Sequence, residues 1–407
     1  MSGVLEDAKD LFTRNLRTSG IYIALVALVI LFTILTNGTL LAPRNITNLV
    51  LQNAHILIMV LGMLMVIVAG HIDLSVGSVL AFASAVSAFL VIKQGMPWWV
   101  GLIAAVVIGL IVGAWHGFWV AVVGIPAFIV TLAGMLLFRG LTAVVLGNTS
   151  LSPFPAEYKV IANDYAHGLF GTITVGQGEG LKAVPETIDI FTLLIGVVAL
   201  AGFVVMQVRS RRARVSYDQH VEAMPLFIVK LVVVAAVVLA FTYALSYDRG
   251  FPLVLIVLGV LILAYQLITN RTVFGRRVYA VGGNLAAAKL SGVNVMKTNF
   301  WLFVHMGLLT GIAAAVFSAR SNNSSPGMGE MFELDVIAAC FIGGASTTGG
   351  IGRVTGAIVG GLVMAVMSNG MSLMGVGQSW QNIIKGCVLL VAVAFDIYNK
   401  RRAGASR

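Results

Sequence analysis

Two polar interruptions carry the residue types that could do chemistry in an otherwise apolar chain. The first, GHIDLSVGS at 70–78, sets His71, Asp73 and Ser75 between two apolar runs; the second, ELDVIAACFIGGASTTGGIG at 333–352, carries Asp335, Ser346 and a set of closely spaced glycines. An ionised carboxylate at mid-bilayer costs about 2.5–3.5 kcal/mol on insertion scales, so Asp73 and Asp335 belong at span ends or in a polar cavity. Backbone freed from helix inside a bilayer must be buried in protein or line water. Asp73, Ser75, Asp335 and Ser346 are therefore candidate residues of a translocation path. The competing account is that each aspartate simply caps a helix.

Catalysis finds little support. No G-x-x-x-x-G-K-[ST] phosphate loop is present, and the pair Gly-Lys occurs nowhere in the chain. A Ser/His/Asp elbow, H-E-x-x-H and a cysteine-pair site are also missing, so no catalytic, cofactor or metal residue is assigned. His55, His116 and His305 stand singly in apolar runs and read as packing residues, while Lys230 and Lys385 read as side chains that snorkel from near a span end.

The elements that must position these residues follow from composition. With 59% hydrophobic and 10% charged residues among 407, the chain is not a soluble globule, which would carry about 25% charged. Its apolar runs are near-continuous and about 20 residues long, which argues for helices rather than the alternating ten-residue segments of a β-barrel. The fold class is thus an all-α polytopic membrane protein. Spans are predicted near 21–35, 48–70, 75–92, 98–123, 125–146, 188–208, 224–246, 250–270, 299–319, 334–348, 354–374 and 376–398, about twelve transmembrane or re-entrant segments. Sixteen of the 26 Lys and Arg fall in four clusters, at 9–17, 209–214, 271–297 and 400–407, and this topology puts all four on one face. The positive-inside rule makes that face cytoplasmic, with both termini there, and accounts for the net charge of +10 without nucleic acid. Glycine ladders at Gly109, Gly113, Gly117 and at Gly352, Gly356, Gly360 let helices approach closely and read first as packing. The 41 residues from Gly147 to Thr187 and the connection 320–333 face outward.

One cytoplasmic stretch, RTVFGRRVYAVGGNLAAAKLSGVNVMKT at 271–298, is too polar to span and too patterned for a plain connector. Asn284 can cap a short helix over 285–291, and Gly292 suits a left-handed exit. The small side chains Ala286, Ala287 and Ala288 between Leu285 and Leu290 make a plug that a cytoplasmic partner could hold. A charged loop that only fixes orientation explains the basic residues equally well. With no motor in the chain, a channel, a secondary carrier and the membrane half of a pump all remain, and the plug favours the last.

The chain resembles the permease subunits of bacterial monosaccharide ABC importers of the ribose, xylose and galactose class. The resemblance is carried by GHIDLSVGS at 70–78, PAFIVTLAGMLLFRG at 126–140, FGRRVYAVGGNLAAAKLSGVNV at 274–295, ELDVIAACFIGGASTTGGIGRVTGAIVGG at 333–361 and NGMSLMGV at 369–376, about 300 residues in order. A two-span insertion at 186–246 makes the length similar to xylose and multiple-sugar permeases rather than ribose-type ones. The resemblance implies a permease fold with two related halves, divided as a cytoplasmic segment 1–20, a transmembrane domain 21–398 with the coupling segment 271–298, and a cytoplasmic tail 399–407. It places ATPase coupling on Gly283, Asn284, Ala287, Ala288, Leu290, Ser291 and Gly292. It also implies a second permease copy, a tandem ATPase that binds ATP and Mg, a periplasmic sugar-binding protein and a location in the inner membrane. The function expected is the membrane-spanning subunit of an ATP-driven importer of a pentose such as xylose or a hexose. The alternative is a self-sufficient proton-coupled sugar carrier.

Overall fold

A computed structural model of the chain describes residues 16–176, 186–219, 221 and 223–405. Most of the expected cytoplasmic segment 1–20 and the last two residues of the tail lie outside the described residues. In hydrocarbon only a helix satisfies its own backbone, and the long apolar runs all become helices. In chain order these are α1 (Leu16–Leu35), α2 (Pro43–Val68), α3 (Val76–Ala88), α4 (Trp98–Gly117), α5 (Ala127–Leu146), α6 (Ala156–Asn163), α7 (Ile190–Ser216), α8 (Met224–Asp248) and α9 (Leu253–Arg271). There follow α10 (Val273–Gly283), α11 (Leu285–Leu290), α12 (Val295–Ser321), α13 (Phe332–Ile342), α14 (Val354–Leu373) and α15 (Gln378–Ala405). The wider turns Phe89–Lys93 and Phe118–Val123 extend α3 and α4. Nine helices among the described residues are long and apolar enough to cross a membrane; α1, α13 and α15 occupy the remaining predicted spans. The chain is an all-α polytopic membrane protein.

Contacts divide the chain into two units. In the larger, comprising 21–36, 49–164 and 254–407, α2 is the most buried helix and α3, α12 and α14 are mostly buried beside it, with Ile58, Met59, Val60, Leu302, Leu309 and Ala313 sealed from solvent. Glycine is required where α4 crosses α12. A Cβ on Gly307 would lie 2.1 Å from the Gly109 carbonyl, and one on Gly109 would lie 2.3 Å from that of Gly307. The second ladder does the same work between α13 and α14, where a Cβ on Gly360 would meet the Ala339 carbonyl at 1.9 Å. Close backbone approach is what binds these helices in a solvent as apolar as their side chains. The connections that follow α5 and α12 in this unit are joined by a pair of backbone hydrogen bonds, Leu151 N to Ser324 O (2.9 Å) and Ser324 N to Leu151 O (3.0 Å). Tyr158 of α6 is sealed beneath them, its hydroxyl 2.9 Å from Ser87 of α3 and from Ser318 of α12. Burial pushes its phenol up, which keeps it a proton donor.

The smaller unit holds, among the described residues, those within 16–20, 37–48 and 165–253. Its helices α7 and α8 run antiparallel: Gly196 lies against Thr242 at one end, and the Arg211 guanidinium sits 4.9 Å from the centre of the Phe227 ring at the other. Strands β1 (Tyr165–Ala166) and β4 (Phe251–Pro252) pair antiparallel, as do β2 (Thr172–Gly176) and β3 (Glu186–Asp189). Asp189 ties the hairpin to the helices. Its carboxylate accepts from Thr192 N (2.8 Å), Thr192 Oγ1 (2.6 Å) and Gly168 N (2.8 Å), and its carbonyl accepts from Ser246 Oγ (2.8 Å).

Candidate functional site: an exposed stub rooted on two helix breaks

Local sequence dictates the stub. Thr272 opens α10 by accepting from Gly275 N (3.1 Å), and Asn284 opens α11 by accepting from Ala287 N (3.0 Å). The left-handed Gly292 (φ 78°) closes α11, with Val293 N bonded to Ala288 O and Gly292 N to Lys289 O, both 3.0 Å. That double bond pattern satisfies carbonyls a helix end would leave open. Asn294 then opens α12 by accepting from Lys297 N (2.8 Å). Of the expected coupling residues, Gly283, Asn284, Ala287, Leu290, Ser291 and Gly292 are exposed. Ala288 is buried instead, because it is the position at which α11 rests on the rest of the chain. Leu290 is 90% exposed and Leu285 46%, which leaves an apolar tip standing in water. Desolvating such a side chain is worth roughly 1.5–3 kcal/mol to whatever covers it.

The root of the stub touches both helix breaks at once. At the end of α2, Gly70 takes φ 86° and the chain leaves the helix. After α13, a loop over 343–353 takes positive φ at Gly344, Gly349 and Gly350. These breaks meet: Gly350 N donates to Val68 O at 2.8 Å. Gly282 of α10 is pressed into that junction, where a Cβ would lie 1.7 Å from Val68 O and 2.8 Å from Gly350 N. One turn earlier, Tyr279 donates its hydroxyl proton to Gly352 O (2.8 Å). Burial pushes this phenol up, with Arg353 partly opposing, so it holds its proton. Neither Tyr279 nor Gly282 was singled out from sequence. The signal was there in the apolar face of α10, on which Gly275, Val278 and Val281 are buried at helical spacing.

The four candidate path residues fall into separate arrangements. Asp73 is 3% exposed and opens the turn into α3, accepting from Ser75 N (2.8 Å) and Ser75 Oγ (2.6 Å). Both line a small pocket of about 10 Å³ with His116 and Thr310. Asp335 is engaged elsewhere. Its carboxylate accepts from Lys385 Nζ of α15 at 2.8 Å, so Lys385 is an ion-pair partner and not a snorkelling side chain. Ser346 is sealed in the glycine loop, with its hydroxyl 2.9 Å from that of Thr348 and its N–H on Ile351 O (2.9 Å). The lone histidines are packed in rings: His55 lies 4.4 Å from Phe317 and 4.6 Å from Phe332, and His305 Nδ1 is 3.0 Å from the Tyr265 hydroxyl. Among the described residues no three His, Cys, Asp or Glu converge as a metal set.

The structure is thus a membrane helix bundle interrupted at two adjoining breaks and carrying a capped stub rooted on both, and comparison with known proteins gives its class, a permease component. The chain belongs to the family described as branched-chain amino acid transport system / permease component, whose profile matches residues 45–393. It is 40% identical to the xylose transport system permease protein XylH of Haemophilus influenzae over 94% of this chain and 97% of that one. It is 39% identical to XylH of Escherichia coli K12 (96% and 94% covered) and 29% identical to the ribose import permease protein RbsC of Bacillus subtilis (93% and 92%). No solved structure matches the chain. These relatives give no support to the self-sufficient proton-coupled carrier.

Proposed function

We propose that the chain forms the translocation path of a xylose importer in the bacterial inner membrane, driven by ATP hydrolysed on a separate cytoplasmic ATPase. The observation that carries this is the stub. Its tip over 284–292, exposed except at Ala288, is shaped to be held, and its root at Tyr279 and Gly282 bears on both places where the membrane helices are broken. A push on α11 therefore reaches the end of α2 and the glycine loop within one helix length, about 16.5 Å for the 11 residues of α10. Two copies of the chain flank the path, a tandem ATPase grips Gly283, Asn284, Ala287, Leu290, Ser291 and Gly292, and a periplasmic binding protein delivers the sugar. Xylose is favoured over ribose because the XylH chains are 39–40% identical over nearly the whole length, against 29% for RbsC of Bacillus subtilis. ATP and Mg belong to the ATPase. Copurifying the permease with its ATPase, reconstituting both in liposomes with the binding protein, and following labelled xylose tests the reading. ATP-dependent accumulation is expected, and accumulation by the permease alone under a pH gradient would refute it.

A further inference from the structure

The half-helix α13 is held at both ends by groups the coupling path does not yet use. Its inner end runs into the glycine loop on which Tyr279 and Gly282 bear. At its outer end stand two cationic side chains from different helices. Arg139 of α5 donates to the carbonyls of Pro326 and Met328 in the connection that leads into α13. Lys385 of α15 closes a 2.8 Å ion pair on Asp335, one turn into α13, with the two side chains only 14% and 18% exposed. The same connection is packed backbone to backbone against α3, where a Cβ on Gly329 would lie 2.3 Å from the Gly77 carbonyl. That side is thus held by close packing and by bonds to carbonyls, which a rigid contact needs. The α15 side is different. Asp335 and Lys385 meet across α13 and α15, and an ion pair in a poorly hydrated site is no better a fastener than apolar residues of the same volume, because desolvating both charges offsets their attraction. What such a pair offers over an apolar contact is two states: closed, or parted with each charge given to water.

We propose that the Asp335–Lys385 pair is the outer latch of the translocation gate, closed in this conformation and parted when the ATPase, through α10 and the glycine loop, moves α13. Lys385 is then a positioning residue for transport, and Asp335 acts on the gate and not on the sugar. The inference rests on the transport reading above. It differs from a purely structural pair in one respect: replacing both charges by neutral groups relieves the desolvation cost and restores a structural contact, but removes a latch.

The test uses the permease copurified with its ATPase, in liposomes, with ATP hydrolysis read with and without sugar-loaded binding protein and with xylose uptake read in parallel. Lys385→Met alone leaves Asp335 without its partner and is expected to lower yield. The double variant Asp335→Asn/Lys385→Met is expected to assemble, yet to hydrolyse ATP without binding protein at least about fivefold faster than wild type and to accumulate less xylose. The exchange Asp335→Lys/Lys385→Asp, which rebuilds the pair, is expected to return both readouts toward wild type. The latch is overturned if the double neutral variant keeps wild-type stimulation and uptake, or if the exchange behaves no better than the neutral pair. A wild-type complex that moves no sugar would instead sink the transport reading itself, and the latch with it.

Discussion

Gly282→Ala is the sharpest probe of the coupling geometry. The added methyl would stand 1.7 Å from Val68 O and 2.8 Å from Gly350 N, both backbone atoms, which cannot swing aside as a side-chain tip would. Ordinary contact is near 3.4 Å, so the end of α10 must lift by more than an ångström. Overpacking of this kind costs about 1–3 kcal/mol. Prising apart the Gly350 N to Val68 O bond adds about 0.5–1.5 kcal/mol. At 1.4 kcal/mol per factor of ten, the seated arrangement loses about one to three orders of magnitude in population. The exposed tip of α11 is untouched, so the ATPase is expected to copurify with the variant as with wild type. Xylose uptake in reconstituted liposomes is expected to fall at least about tenfold while ATP hydrolysis continues. Gly259→Ala in α9, where a Cβ meets nothing within 4 Å, is the control and is expected to be silent. Uptake by the Gly282 variant equal to that of the control would refute the idea that force passes from α10 into the helix breaks.

Three further outcomes follow from the same geometry. Leu290→Asp puts a charge on the 90% exposed tip; the permease is expected to fold with unchanged thermal stability and to lose copurifying ATPase by about thirtyfold or more, as for a central interface anchor worth about 2 kcal/mol. Gly307→Val drives a side chain into the Gly109 carbonyl 2.1 Å away and separates α4 from α12, so size-exclusion chromatography in detergent is expected to show little monodisperse protein. Asp189→Ala removes the acceptor of three hydrogen bonds at the head of α7 and is expected to cost about 1–3 kcal/mol, read as faster proteolysis of the segment carrying β2 and β3 at unchanged membrane yield.

Much of this protein is legible along the chain, and the reason is solvent. Hydrocarbon admits so few backbone arrangements that run length alone located the long apolar helices α2 to α5, α7 to α9, α12 and α14, whereas α6 and α10, shorter and more polar, leave no such run. Local chemistry did the same for the stub, since Asn284 and Gly292 act on residues within one helical turn and need no distant partner. The glycine ladders were legible as packing for a similar reason: spacing on one helix reports a close neighbour without saying which. Pairings over long sequence separations were not legible. Lys385 looks like any cation near a span end until α13 brings Asp335, 50 residues earlier, to 2.8 Å. Ala288 has the same type as Ala286 and Ala287, yet it alone of the three faces inward, because only the docking of α11 distinguishes the sides of so short a helix. The sequence by itself determined membrane class, span order and the capped stub, since each depends on residues no farther apart than one helix. Only the tertiary structure decided that Val68, Gly282 and Gly350 share one point and that Asp73 and Asp335 serve different neighbours, because backbone contact between segments hundreds of residues apart leaves no periodic trace in either.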